Sequence, residues 1–431
     1  MSIIDDLLQH VPLPKMVRAR QLFHTESLQD IEQVIAEEFR NPAISGKIRR
    51  GARIAIGVGS RGLDQLPLLT ARVVAELKQR GALPFIVPAM GSHGGATATG
   101  QAELLTTLGI TEAAVGCPIV SAMETVELGR LENGLPVLMD QAAMQADGII
   151  FINRIKPHTS FSGPYESGLV KMLAIGLGKQ QGADSCHAMG FGSMAVNIVA
   201  MAKIKIARAP VLFGVASVEN AYDKIARLKV IPAEEILVVE QELLSAAREN
   251  MPRLLFNPLD VLVVKQMGKR FSGTGTDPHV TGRAATPYVK TNQQVNKMVI
   301  LDLCPSSHGN ATGVGLADIC TRRLVDEIDF NATYANHITS TELSHGKIPV
   351  TMDNDLRALQ LAVKTSNCLD LAQLRMACIA NTLQLEEILI STGLLEEARS
   401  NPAIEILGDP EEWNFDAAFN LRASPQHGRE S

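Results

Sequence analysis

The sequence has few of the features that mark secreted, membrane and fibrous proteins. Its 431 residues include only 6 cysteines, which are scattered and form no Cys-x-x-Cys pair. Neither a disulfide framework nor a cysteine-built zinc site is therefore indicated. No apolar run approaches the roughly 18 residues that span a bilayer, and the N-terminal stretch is acidic where a signal peptide would be basic. These absences favour a reduced, soluble, cytoplasmic protein.

An excess of positive charge is also missing. The chain has 40 lysines and arginines against 46 aspartates and glutamates, a net charge of -6. Nucleic acids and anionic membranes are polyanions, and the surface as a whole would not attract them. We therefore expect a small-molecule ligand, with no nucleic acid and no membrane as partner, and a monomer or small homo-oligomer.

Aromatic residues make up only 4% of the chain, whereas it contains 34 glycines and many aliphatic residues. This composition is typical of parallel sheets that helices bury on both faces. Arg53–Val58 is a predicted strand, Leu66–Arg80 a predicted helix and Gly81 its end, and another strand follows. This is the order of a βαβ unit. Similar strands recur at Gly148–Asn153 and Val211–Ser217, and the pattern predicts an α/β fold.

A second series of elements follows a long charged helix that is predicted over Pro232–Glu249. Prolines at Pro252 and Pro258 break the chain there. The later predicted elements are strands at Asp260–Val264 and Lys297–Leu303 and helices at Gly315–Glu327 and Asp353–Lys364. We therefore predict two α/β domains with the active site in the cleft between them. Residues 1–255 form the N-terminal catalytic, cofactor-binding domain, and 256–431 form a C-terminal domain that contributes substrate contacts and ends in a polar tail after about Leu421.

Three histidines follow predicted strands or lie in glycine-rich segments: His93, His158 and His187. One such histidine is usually a surface or helix-capping residue. Three within one α/β domain favour a site, because histidine is the natural acid or base near neutral pH and a common metal ligand. The spacings of protein-built zinc sites, such as His-Glu-x-x-His, are absent.

Two cations stand out beside these histidines. Lys171 lies in an otherwise apolar stretch that has the pattern of a helix. Its amine either reaches the surface along its own aliphatic chain or is a nucleophile near a cofactor. Arg61 directly follows a predicted strand, where a guanidinium can bind a carboxylate or phosphate with two hydrogen bonds.

The start of the second domain contains a segment rich in glycine and cations, Lys265–Arg283. It matches neither the phosphate-binding loop Gly-x-x-x-x-Gly-Lys-Ser/Thr nor Gly-x-Gly-x-x-Gly. It is either a solvated, turn-rich loop or a loop whose backbone N–H groups bind an anion. The role of its central part, Ser272–Gly282, stays open at this point.

Taken together, these segments resemble the nickel-pincer-nucleotide-dependent lactate racemase family, whose members racemise or epimerise 2-hydroxy acids. The likeness is at the level of motifs and covers roughly residues 15–400. The matching segments are Val58-Gly59-Ser60-Arg61, Gly91-Ser92-His93, Pro157-His158 with Phe161 and Gly163, Lys171, His187 sixteen residues later, and Gln266-Met267-Gly268-Lys269.

The resemblance implies a role for each matching residue. His93 and His158 are the two acid/base residues, Lys171 bonds covalently to the cofactor, and His187 is the nickel ligand. The cofactor is a nickel-pincer nucleotide, a pyridinium bis-thiocarboxylic acid mononucleotide that holds nickel, and cofactor-synthesis enzymes supply it. The further cofactor contacts are Ser60 and Gly163, and the substrate contacts are Arg61, Gln266 and Lys269.

The chain also departs from the family pattern. Val58 stands where the family has an aspartate, and thirteen residues separate His158 from Lys171, a few more than in the family. These departures indicate a divergent member whose substrate need not be lactate. Two other interpretations stay open: a nucleotide- or NAD-linked α/β enzyme without nickel, and a non-catalytic binding homologue. The absence of Gly-x-Gly-x-x-Gly counts against the first, and Val58 favours the second.

Overall fold

The computed structural model of the protein describes residues 3–422. The part of the predicted polar tail that follows Arg422 lies outside the described residues. Within 3–422 no single helix is long and apolar enough to cross a membrane. The helical segments Leu169–His187 and Phe191–Arg208 meet that test only as a pair, bent by 109°.

Residues 3–422 contain fifteen strands and sixteen α-helices. The strands are β1 (Met16–Gln21), β2 (Arg53–Val58), β3 (Leu83–Pro88), β4 (Thr125–Arg130), β5 (Pro136–Asp140), β6 (Gly148–Arg154), β7 (Val211–Glu219), β8 (Ile225–Pro232), β9 (Leu259–Met267), β10 (Val295–Leu303), β11 (Ile319–Thr321), β12 (Val350–Met352), β13 (Met376–Ile379), β14 (Glu387–Ser391) and β15 (Ile404–Ile406). The helices are α1 (Ile3–Leu8), α2 (Ile31–Glu38), α3 (Pro42–Ser45), α4 (Leu66–Gln79), α5 (Ala98–Thr107), α6 (Glu112–Val115), α7 (Gln141–Met144), α8 (Leu169–Ala174), α9 (Lys179–His187), α10 (Met194–Arg208), α11 (Ile236–Asn250), α12 (Pro278–Thr281), α13 (Arg322–Asp326), α14 (Phe330–Ser340), α15 (Asp355–Thr365) and α16 (Leu395–Ser400).

The N-terminal unit, His24–Met251, is built on a five-stranded sheet in the order β3-β2-β6-β7-β8. Its strands run parallel except for β8, which pairs antiparallel with β7. Successive side chains of a strand point to opposite faces, so Ile149 and Phe151 of β6 enter one core cluster and Ile150 and Ile152 enter the other. Both faces of the sheet are covered, which confirms the predicted α/β class.

The C-terminal unit contains the chain up to Phe23 and from Pro252 onward. Its eight-stranded mixed sheet has the order β12-β11-β10-β9-β13-β14-β1-β15. The predicted division at residue 255 assigned β1 to the N-terminal domain. In the structure β1 belongs to the C-terminal unit, where it pairs antiparallel with both β14 and β15. Val17 and Ala19 of β1 are fully buried, but the sequence of this strand, MVRARQ, is too polar to be recognised as a strand between two others.

The helix predicted over Gly315–Glu327 is wrong. The chain forms a single 3₁₀ turn at Val314–Leu316, then β11 and then α13. Ile319 and Cys320 pair with β10 in parallel register, and the side chain of Thr321 accepts a hydrogen bond from the Leu324 N–H to begin α13. The buried strand and the capping threonine together override the helical spacing of the apolar residues.

A buried ion pair lies within the N-terminal unit. The Lys179 Nζ is 2.8 Å from the Asp140 Oδ2, and both side chains are almost completely buried. The same amine donates to the Pro88 carbonyl, and the Asp140 Oδ1 accepts from the Ala143 N–H. Substituting one partner would leave the other charge buried without its counter-ion, which is costly.

We expect Lys179→Met to lower the free energy of unfolding by about 3–5 kcal/mol, because Asp140 then keeps its charge in an apolar surrounding. Urea unfolding followed by circular dichroism measures the loss. Lys203 is exposed in the same unit, so Lys203→Met serves as the control and should change stability by less than about 0.5 kcal/mol. Equal stability of the two variants would contradict this account of the ion pair.

Candidate active site

The loop after β2 places Ser60 and Arg61 at the carboxyl edge of the five-stranded sheet. Val58, at the end of the strand, is buried in the apolar core, so it contributes no polar contact at this edge. The Ser60 hydroxyl is hydrogen-bonded to the His93 Nδ1. Desolvation and the nearby charge of Arg154 lower the pKa of Arg61, although a guanidinium stays cationic at neutral pH.

The loop after β3 carries His93 and is fixed from inside the unit. Gln101 of α5 is fully buried, and its amide donates to the carbonyls of Gly91 (2.9 Å) and His93 (3.2 Å). Gly94 has a φ of +66°, and a Cβ there would lie 2.7 Å from the backbone of Gly100. The buried glutamine and Gly94 thus fix the loop that carries the exposed His93. At Gly94 any other residue would be strained.

The loop after β6 carries His158. Its ring Nδ1 accepts a hydrogen bond from the Ser160 N–H at 3.0 Å. The Glu166 carboxylate, which is buried, accepts from the His158 N–H at 2.6 Å and from the Gly163 N–H at 3.1 Å. Arg248 is the third partner of this carboxylate, since its Nη2 is 2.6 Å from the Glu166 Oε1. Sequence reasoning missed Glu166 and Arg248, for which the only signal is an acid in an otherwise apolar and glycine-rich segment.

Lys171 lies in the middle of the six-residue helix α8, and its Nζ is 2.5 Å from the His158 Nε2. Because Nδ1 of this ring accepts from the Ser160 N–H, a neutral ring carries its proton on Nε2 and donates it to the amine. Burial, followed by the charge of Arg61, lowers the pKa of Lys171 to about 8, against the opposing effect of Cys186. Geometry and electrostatics therefore agree that this amine is largely uncharged above pH 8.

His187 is the last residue of α9, not part of the glycine-rich loop that the sequence suggested. Its ring meets Phe191 edge-on with the centroids 5.5 Å apart. Burial and then the charge of Lys171 lower the pKa of His187 to about 4, while Asp184 acts in the opposite direction. The imidazole is therefore neutral at pH 7, which is the form that binds a metal ion.

The donor set around His187 fits a metal that brings most of its own ligands. No group of three or more His, Cys, Asp or Glu side chains that could hold a metal lies within residues 3–422. Burial raises the pKa of the neighbouring Cys186 thiol to about 11, so that sulfur is not a thiolate ligand at neutral pH. One neutral imidazole together with one amine of lowered pKa fits a covalently attached organic group that brings most of the metal's ligands with it.

The two predicted substrate residues of the C-terminal unit lie at the end of β9. Gln266 is in the strand, and its N–H donates to the Ala380 carbonyl. The Lys269 amine contacts the Asn336 side-chain oxygen. The following segment, Ser272–Gly282, is not a solvated loop, because its Thr276 and Thr281 are fully buried and its polar groups bond within the unit.

The structure therefore joins four predicted residues into one cluster in the N-terminal unit. His158 contacts Lys171 directly. The charge of Arg61 lowers the pKa of Lys171, and the charge of Lys171 lowers the pKa of His187. Ser60, which is hydrogen-bonded to His93, directly precedes Arg61. The N–H groups of Gly163 and His158 both donate to the Glu166 carboxylate. Gln266 and Lys269 belong to the other unit, and a cleft that joins them to this cluster stays a prediction.

Comparison with known proteins gives one family-model match and two similar solved structures. Residues 7–197 match the model of the lactate racemase N-terminal domain. The lactate racemase apoprotein from Thermoanaerobacterium thermosaccharolyticum shares the fold, with a TM-score of 0.50 and 14% identity over 85% of this chain and 94% of that one. A structural-genomics target from Thermotoga maritima has a TM-score of 0.48 and 14% identity over 77% and 81% of the two chains. No curated protein sequence matches. Residues 7–197 are thus similar to the lactate racemase N-terminal domain, and the chain shares the fold of a lactate racemase apoprotein.

Proposed function

We propose that this protein is a cofactor-dependent racemase or epimerase of a 2-hydroxy acid. The observation that carries the proposal is the 2.5 Å contact between the Lys171 amine and His158, inside the region that matches the lactate racemase domain. An amine of lowered pKa, an imidazole and the Arg61 guanidinium in one cluster supply an anchor, a proton-transfer group and a carboxylate-binding group. We infer that the protein works in the cytoplasm as a monomer or small homo-oligomer.

Arg61 binds the substrate carboxylate, because its planar guanidinium matches a carboxylate with two hydrogen bonds. His93 and His158 each accept the hydroxyl proton of one enantiomer and return it to the other, which moves the proton without a change of net charge. In this structure the Nε2 of a neutral His158 carries its proton toward Lys171. Once that amine is otherwise bound, His158 therefore serves the substrate first as the acid, and it becomes the base after this proton has left. From the C-terminal unit, Gln266 and Lys269 are the proposed further substrate contacts.

Lys171 and His187 are the residues that would hold a nickel-pincer nucleotide, with Ser60 and Gly163 as its further contacts. When bound, this group would supply a reversible hydride acceptor for C2 of the substrate. Lys171 offers an amine with a pKa of about 8, which is nucleophilic near neutral pH. His187 offers a neutral imidazole to the metal. Ser60 also fixes the ring of His93 through its hydroxyl.

The test is to produce the protein with and without the cofactor-synthesis enzymes and to measure its nickel content and intact mass. About one nickel per chain and a covalent mass increase, both only with those enzymes present, support the proposal. An unmodified mass with bound NAD indicates the nucleotide-linked enzyme without nickel. An unmodified protein that binds neither indicates a non-catalytic homologue.

His187→Ala should lose most of the nickel while it keeps the covalent adduct on Lys171, because the imidazole completes the coordination that the organic group begins. Inductively coupled plasma mass spectrometry gives the metal and intact mass gives the adduct. His24 is exposed in the same unit, and His24→Ala should keep both. Stoichiometric nickel in His187→Ala would remove this residue from the metal site.

A further inference from the structure

Helix α11 is the long charged helix of the sequence, and the proposed function gives it no task. One of its faces is buried in the N-terminal core through Ile236, Leu243, Leu244 and Ala247. Glu240 lies on this apolar face and is fully buried. Burial raises the pKa of this carboxyl group to about 8. A buried polar group is costly unless hydrogen bonds satisfy it, so the hydrogen-bond partners of Glu240 indicate its role.

The partners of Glu240 are at the start of the helix that carries Lys171. Its Oε2 accepts from the Val170 N–H at 2.8 Å, and the Leu169 N–H also bonds to the carboxylate. The first N–H groups of a helix have no partner within the helix. A Cβ on Gly168 would lie 2.3 Å from the Glu240 Oε1, so any side chain at this position would displace the carboxyl group from the backbone. Glu240 thus fixes the beginning of α8.

Arg248 lies eight residues after Glu240 on α11, and it contacts the loop that carries His158. Its Nη2 donates to the Gly163 carbonyl at 2.9 Å and to the Glu166 Oε1 at 2.6 Å. Glu166 in turn accepts the N–H of His158. Arg248 therefore fixes the His158 loop through a buried carboxylate, whose geometry with a guanidinium is specific.

Two further hydrogen bonds join the segment between His158 and Lys171 to the same helix. The Tyr165 hydroxyl donates to the Leu237 carbonyl at 2.5 Å and accepts from the Gln241 Nε2 at 2.6 Å. The segment between the histidine and the lysine is therefore hydrogen-bonded to α11 at several points between Leu237 and Arg248.

We propose that α11 is the positioning element of the site, and that Glu240 and Arg248 are positioning residues which set the contact between His158 and Lys171. The inference rests on the proposed function only for the roles of these two residues. The contact itself is a property of the chain without cofactor, so it is tested without one.

The experiment measures how fast Lys171 of the cofactor-free protein is acetylated by an N-hydroxysuccinimide ester between pH 6 and 10. The amine displaces N-hydroxysuccinimide to form an amide, and peptide mass spectrometry quantifies the modified lysine. With its pKa of about 8, about half of Lys171 is uncharged at pH 8, whereas an ordinary lysine is uncharged in about one part in 250. The reaction rate and its pH profile therefore report the position of the amine.

Glu240→Leu and Arg248→Met should each slow the acetylation of Lys171 at pH 8 by at least about tenfold and move its half-maximal rate to higher pH. Glu240→Gln and Arg248→Lys, which keep a hydrogen-bonding group, should restore much of the rate. Glu242 is an exposed residue of the same helix, and Glu242→Leu should leave the rate unchanged. The double variant should be little slower than either single one, because both act on one contact.

Arg248→Met decides the matter even if Glu240→Leu does not fold, because the Arg248 side chain is 47% exposed and Glu166 keeps its two backbone N–H donors without it. A wild-type rate and pH profile for Lys171 in Arg248→Met would overturn the proposal. Failure of the proposed function looks different, since a protein that never takes up nickel or racemises a hydroxy acid would still show the change in acetylation.

Discussion

Lys171→Ala, produced together with the cofactor-synthesis enzymes, is expected to show no covalent adduct at all. The amine of Lys171 lies 2.5 Å from His158 and titrates near pH 8, so it is the nucleophile that this site offers. An alanine leaves no atom to which the cofactor can bond. Intact mass spectrometry should therefore give the mass of the bare chain, and racemisation should fall to background.

Lys171→Arg provides the matched comparison, because it keeps a cation but has no nucleophilic amine; it should also lack the adduct. Lys203 is an exposed lysine of the same unit, and Lys203→Ala should carry the full adduct. A modified mass in Lys171→Ala would show that another residue is the anchor.

His93→Ala and His158→Ala are each expected to slow racemisation in both directions by about 10²–10⁴-fold, the usual range for the loss of general acid–base catalysis. Each imidazole is the base for one enantiomer and the acid for the other, so the loss of either imidazole slows racemisation in both directions. A variant with one base left should still convert a single enantiomer to its keto acid without complete turnover.

Chiral chromatography, started from a single enantiomer, measures these rates. His24→Ala, which alters an exposed histidine, should racemise like the wild type. Wild-type rates in His93→Ala or His158→Ala would remove that residue from the proton transfer.

The parts of this protein that the sequence predicts are those in which local pattern and tertiary structure agree. The β-branched runs of β2, β6 and β7 end in glycine or polar residues, and each run is a central strand of the five-stranded sheet. The motifs at their carboxyl ends place Arg61 and His158 at one edge, where parallel strands present their loops. For this reason the cluster around Lys171 was accessible from sequence alone.

The parts that the sequence does not predict depend on distant segments. Strand β1 is stabilised by β14 and β15, which lie more than 350 residues away in the chain, and no local pattern reveals such pairing. Glu240 and Arg248 act across 70 and 82 residues on Val170 and Glu166. Within α11 they are two ionisable residues among many, and only the fold shows that they contact the segments that carry His158 and Lys171.

The most direct test of the central claim is the fate of optical activity when the nickel-loaded protein receives one enantiomer of lactate, or of a larger 2-hydroxy acid. We predict that, for at least one such acid, the circular dichroism signal decays to the same end point from either enantiomer (or, for an epimer pair, to one common ratio). The decay should require the loaded cofactor but no added NAD. A fully loaded protein that leaves every enantiomer of the series unchanged, or that acts only when NAD is supplied, would contradict the assignment.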